Sequence, residues 1–179
     1  MGAQWIVSYD PASIVEFMEP GMARLRDGRL VCLMRTSHRP SRQDNMWLTH
    51  SEDDGITWSP PKRTALWGYP AGMVQLQDGR VLAVYGYRKE PWGVRGCVSE
   101  DGVTWDVSGE FTIREGGIPR PASGMGARTL QDTLIYAQYW HIGYPSVTQL
   151  EDGTVLAAYH EYSDDEHPLQ YLMCTRFRL

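Results

Sequence analysis

With 179 residues and a mass of 20.4 kDa, the chain has the length of one domain or two small ones. Its 42% apolar and 22% charged residues can build a core, and a net charge of −5 argues against nucleic acid as the main partner. No apolar run is long enough for a membrane span and no basic and apolar leader follows Met1, so neither a membrane segment nor a signal peptide is visible and the localisation stays open. Cys32, Cys97 and Cys174 are far apart, and none of the five histidines sits at ligand spacing from another, so no disulfide framework, metal site or cofactor is expected. The 7 Trp and 10 Tyr against 3 Phe, with 18 Gly and 11 Pro, point to an all-β chain rich in turns and amphipathic aromatics.

In chain order, residues 4–9 read as an outer strand. The apolar pattern over 12–18 is too short to predict a helix. Residues 22–31 (MARLRDGRLV) then read as strand, Asp-Gly turn and strand, predicting a hairpin with a tight two-residue turn. Residues 51–58 (SEDDGITW) follow, where Ser51 and Asp53 can bond a local turn, Gly55 takes the left-handed position, and Thr57 and Trp58 open the outgoing strand. The hairpin pattern returns at 73–82 and the Ser-Asp-Gly-Thr-Trp pattern at 99–105, one residue shorter. The Gly/Pro-rich segment 116–141 reads as a loop insertion with a strand, and a third hairpin follows at 147–156 before a last strand at 171–179. A proline lies just upstream of each hairpin, at Pro20, Pro70 and Pro145, so the repeat begins before the turn. Hairpin starts 51 and 74 residues apart fit a unit of roughly 50 residues, the size of one four-stranded blade.

The Ser-x-Asp-x-Gly-x-Thr-Trp element resembles the Asp-box, or BNR, signature of sialidase-like β-propellers. Its acids read as structural turn residues. The resemblance extends to the segment from Glu19 through the first Asp-Gly hairpin to Arg35. In sialidases such a Glu polarises the nucleophile, and such an Arg is one of three that grip the substrate carboxylate. It implies a second triad arginine at Arg88 or Arg95, with Arg88 preferred, and a nucleophilic tyrosine at Tyr144 in Gly143-Tyr144-Pro145-Ser146. Tyr69 occupies a similar Gly-Tyr-Pro in the second repeat, which leaves a packing role open for Tyr144. The chemistry is coherent: a neutral phenol avoids the repulsion a carboxylate nucleophile would meet at an acidic sugar, and guanidinium forks suit the carboxylate.

The family's first triad arginine and its acid/base aspartate have no match in the chain, which looks like the C-terminal half of a six-bladed propeller. The implied organisation is a single partial propeller over 1–179, with blades near 10–66, 67–115 and 116–179 and the insertion at 116–141. Two chains meeting face to face, as a homodimer, would complete such a ring. The implied ligand is a sialoside or other acidic glycan. The functional alternatives are a sialidase-like hydrolase with a partial site, a non-catalytic glycan-binding or scaffold module, and an enzyme of another acidic sugar.

Overall fold

The computed structural model describes residues 15–38, 45–89, 91–116, 142–162 and 170–179. The expected strand at 4–9 and nearly all of the 116–141 insertion lie outside these residues. Three antiparallel sheets follow one another along the chain. The first holds β1 (Val15–Arg24), β2 (Leu30–His38), β3 (Trp47–Ser51) and β4 (Lys62–Arg63), and the second β5 (Tyr69–Gln75), β6 (Val81–Tyr87), β7 (Gly93–Ser99) and β8 (Phe111–Glu115). The third consists of β9 (Ile142–Gln149), β10 (Val155–Tyr162) and β11 (Gln170–Phe177), three described strands where four were expected. Among the described residues no helix is long and apolar enough to cross a membrane.

Each expected hairpin forms the first strand pair of a sheet, but its turn is one residue longer than two. Leu25 N–H donates to the Arg29 carbonyl and Gly28 N–H to that of Leu25, so Arg26, Asp27 and Gly28 form a three-residue loop with Gly28 at φ +94°. Leu76–Arg80 and Leu150–Thr154 repeat this arrangement. A type I turn followed by a left-handed glycine joins antiparallel strands as well as the two-residue turn does, and Asp-Gly serves both. Side chains clamp successive turns together. Arg26 N–H donates to Gln75 Oε1 at 2.8 Å, and Gln77 N–H to Gln149 Oε1 at 2.7 Å.

The core lies in the two spaces between sheets. Leu25, Val31, Leu33 and Leu48 meet Met73, Val81, Ala83 and Tyr85 in the first space. Leu82, Val84 and Val94 meet Ile142, Val155, Ala157 and Tyr159 in the second. Strand alternation explains this, because neighbours such as Val81 and Leu82 point to opposite faces, so both faces of the middle sheet are buried. The leading strands β1, β5 and β9 approach one another closely. A Cβ on Gly21 would lie 1.9 Å from the Ala71 carbonyl oxygen, and one on Gly72 would lie 2.6 Å from that of Pro145.

Both Asp boxes close as local turns. In the first, Ser51 Oγ and the Thr57 N–H and Oγ1 all donate to the Asp53 carboxylate. In the second, burial pushes Asp101 up, but hydrogen bonds from Thr104, Val103 and Ser99 outweigh it and bring its pKa down to about 2. Trp105 inserts into the first inter-sheet core, while Trp58 stays local, its indole N–H donating to the Gly55 carbonyl.

Candidate active site

The residue before the proline in each repeat sits where the leading strand loses its register. In β1 the pairing with β2 slips between Met18 and Gly21, and Glu19 takes φ +50°. In the third sheet the slip lies between Ala158 and His160, opposite Tyr144 at φ +52°. Bulges of this kind re-aim a side chain out of the strict in-and-out alternation. The second sheet also slips, between Tyr69 and Ala71, but Tyr69 stays outside the left-handed region and is buried at 4% exposure, whereas Tyr144 is 52% exposed. The two Gly-Tyr-Pro tyrosines therefore have different environments.

These side chains converge. Tyr144 Oη donates to Glu19 Oε1 at 2.7 Å, and Arg35 Nε donates to Glu19 Oε2 at 2.6 Å. One carboxylate thus bridges the phenol and the guanidinium. Arg88 follows β6 and is 5% exposed, with its Nε donating to the Ile142 carbonyl at 3.3 Å. Its Nη2 is buried without a hydrogen-bond partner. The guanidinium lies over the Tyr69 ring, 4.4 Å from the centroid, and that of Arg35 lies 5.1 Å from the same centroid. Gly143 makes room for Arg88, since a Cβ there would stand 3.2 Å from Nη2.

The electrostatics follow from this packing. Burial pushes the Tyr144 phenol up, Glu19 reinforces the shift as acceptor and anion, and Arg88 and Arg35 partly offset it. The phenol therefore holds its proton at neutral pH. Burial pulls Arg88 down, with Arg35 adding to the effect and Tyr69, Tyr144 and Glu19 opposing it. A buried guanidinium with an unused donor is costly unless an anion joins it.

The structure brings together Glu19, Arg35, Arg88 and Tyr144, and separates Arg95 from them. Arg95, on β7, pairs with Glu110 and lies over the Tyr87 ring, 3.4 Å from its centroid. Two site residues went unrecognised in the sequence. Tyr69 is the surface on which both arginines rest. His160 stacks on Tyr144, with centroids 5.3 Å apart and planes at 29°. Offsets of 51 and 125 residues from Asp27 to Asp78 and Asp152 place Gly86 and His160 at the position of Arg35, so the repeat register carried a signal for His160. Among the described residues no group of three or more His, Cys, Asp or Glu could hold a metal ion.

Known structures share this architecture. A Dyadobacter fermentans protein of unknown function is 25% identical with a TM-score of 0.64, over 90% of this chain and 38% of its own. A Penicillium chrysogenum α-L-arabinanase complexed with arabinobiose is 16% identical with a TM-score of 0.59, over 89% of this chain and 46% of its own. A Bacillus halodurans xylan β-1,4-xylosidase is 14% identical with a TM-score of 0.57, over 89% and 28%. The chain thus spans less than half the length of each of these structures, and at the lower identities the likeness shows the fold, that of β-propeller glycosidases. No curated protein matches the chain. The family model described as BNR repeat-like domain matches residues 2–156, and the chain belongs to that family.

Proposed function

We propose that Glu19, Arg35, Arg88 and Tyr144 form part of a glycoside hydrolase site of the exo-sialidase type, acting on a glycan that carries a carboxylate. The observation that carries this reading is the Glu19 carboxylate shared between the Tyr144 hydroxyl and Arg35, beside the unpartnered Nη2 of Arg88. In the reaction Tyr144 Oη attacks the anomeric carbon while its proton passes to Glu19 Oε1, and the bond to the leaving oxygen breaks with its electron pair. Water then attacks the same carbon, losing a proton to solvent, as the bond to Tyr144 Oη breaks and Glu19 returns its proton to the phenol. Arg35 steadies Glu19, and Arg88 receives the substrate carboxylate, where a charged bond to an anion replaces an empty one. None of the four residues is an acid suited to protonating the leaving oxygen, so a poor leaving group needs a donor from elsewhere in the ring.

A second reading, a glycan-binding module without turnover, is favoured by the commitment of Arg35 to Glu19, which leaves one guanidinium for the ligand. An aryl sialoside separates the two, because an aryl alcohol leaves without a proton donor. The hydrolase reading predicts turnover that Tyr144→Phe abolishes while binding persists. Binding without turnover in the unaltered chain would overturn it in favour of the module. We further take the three sheets as blades of one partial propeller, with a second copy of the chain supplying the rest.

A further inference from the structure

Beside the site runs a strip of aromatic rings. Tyr69, which carries Arg35 and Arg88, meets Trp67 edge-on with centroids 5.6 Å apart, and Trp67 meets Tyr87 in the same way at 5.3 Å. Trp67 and Tyr87 are half-buried, so the strip leads outward from buried Tyr69. Two more cations rest on it. Lys89 Nζ lies 3.8 Å from the Trp67 centroid, and Arg95 lies over Tyr87.

These cations differ in what they have left to offer. Arg95 is neutralised by Glu110, which also accepts from Tyr85 Oη at 2.6 Å. Lys89 is exposed and has no carboxylate within ion-pair distance among the described residues. A flexible lysine normally loses entropy when fixed, but the ring face holds this ammonium in place by a cation–π contact. Burial against the ring pulls its pKa down, while Glu110 opposes that shift. The result is an oriented, unneutralised cation one residue from Arg88, connected to it through two rings in contact.

We infer that Lys89 on Trp67 forms a second anion-recognition position, so that the ligand is an acidic oligosaccharide with negative groups on two neighbouring units. Arg88 takes the carboxylate of the unit in the site, and Lys89 takes that of the next unit, whose apolar ring face can lie along the Trp67–Tyr87 edge. This inference rests on the proposed acidic-glycan reading of the site.

Equilibrium binding of N-acetylneuraminic acid and of its α2,8-linked dimer to the full chain tests it. The expected result is dimer affinity at least threefold above monomer affinity, the size of one exposed ion pair, with the preference shrinking as salt rises. Lys89→Gln removes the preference and leaves monomer affinity unchanged, while Lys89→Arg retains it. Equal affinity for both ligands, or a Lys89→Gln variant that weakens both equally, overturns the second position and leaves the acidic-sugar reading standing. Binding of neither ligand overturns both.

Discussion

Glu19 and Tyr144 hold left-handed backbone angles that a side chain with a Cβ adopts at a cost of about 1–3 kcal/mol each. Both precede a proline, and both have their polar tips joined in one hydrogen bond. Among the described residues the third non-glycine residue with a positive φ is Asp54 in the first Asp box, so two of the three lie where the proposed chemistry needs them. Replacing Glu19 by Gln keeps the shape but removes the proton acceptor, so turnover of an aryl sialoside is expected to fall about 10²–10⁴-fold, as measured by steady-state kinetics. An unchanged rate would remove Glu19 from the mechanism. Arg88 gives the opposite kind of effect. Arg88→Met exchanges a buried charge with an unused donor for an apolar side chain of similar length, so the melting temperature is expected to rise by about 2–4 °C while ligand affinity is lost. A calorimetric scan that shows destabilisation would mean the guanidinium is already satisfied. At this scale the sequence was partly legible. Glu19, Arg35 and Tyr144 lie at fixed offsets from Asp-Gly turns, so their convergence could be anticipated. Arg88 and Arg95 lie beyond the second hairpin's register, and only the fold shows which of them joins the cluster. Tyr69 escaped because its bulge buries a side chain that its Gly-Tyr-Pro context does not distinguish from Tyr144.

The hairpins and Asp boxes were the most legible elements, since their determinants are local. The expected two-residue turn fell one residue short of the observed three-residue loop, because Asp-Gly suits both. Close approach between sheets was also hidden, since Gly21 and Gly72 look like ordinary strand glycines until β5 and β9 are placed beside them. Gly21→Ala is expected to destabilise the chain by about 3 kcal/mol or more, since a methyl group there meets backbone that cannot yield. Gly28→Ala, where the space is open and only the φ of +94° opposes it, is expected to cost about 1 kcal/mol. Denaturant midpoints of the two variants check the order. The second Asp box adds an acid-sensitive contribution. Asp101 has a folded pKa of about 2, below the 3.8 of a free carboxyl, so its contribution is present above pH 4 and is lost as pH falls toward 2. Asp101→Asn is expected to flatten the stability profile across that window, and a profile parallel to that of the unaltered chain would contradict the assignment.

At the scale of the whole molecule, three sheets share two buried cores, and the leading strands carry the site residues toward one place. That arrangement needs all three repeats. Glu19 comes from the first, Tyr69 and Arg88 from the second, and Tyr144 from the third, so a truncated chain would lose the site before it lost a hairpin. If a second copy completes the ring, light scattering returns a mass near twice the 20.4 kDa of one chain, and a monomer would rule that copy out. The cluster is proposed to recognise an acidic sugar, whereas the Penicillium chrysogenum neighbour is complexed with arabinobiose. Isothermal titration calorimetry of the unaltered chain and of Arg88→Met against N-acetylneuraminic acid and arabinobiose tests this most directly. Only the acidic sugar is expected to bind, and Arg88→Met is expected to abolish that binding. Equal binding of arabinobiose, indifferent to Arg88, would contradict it.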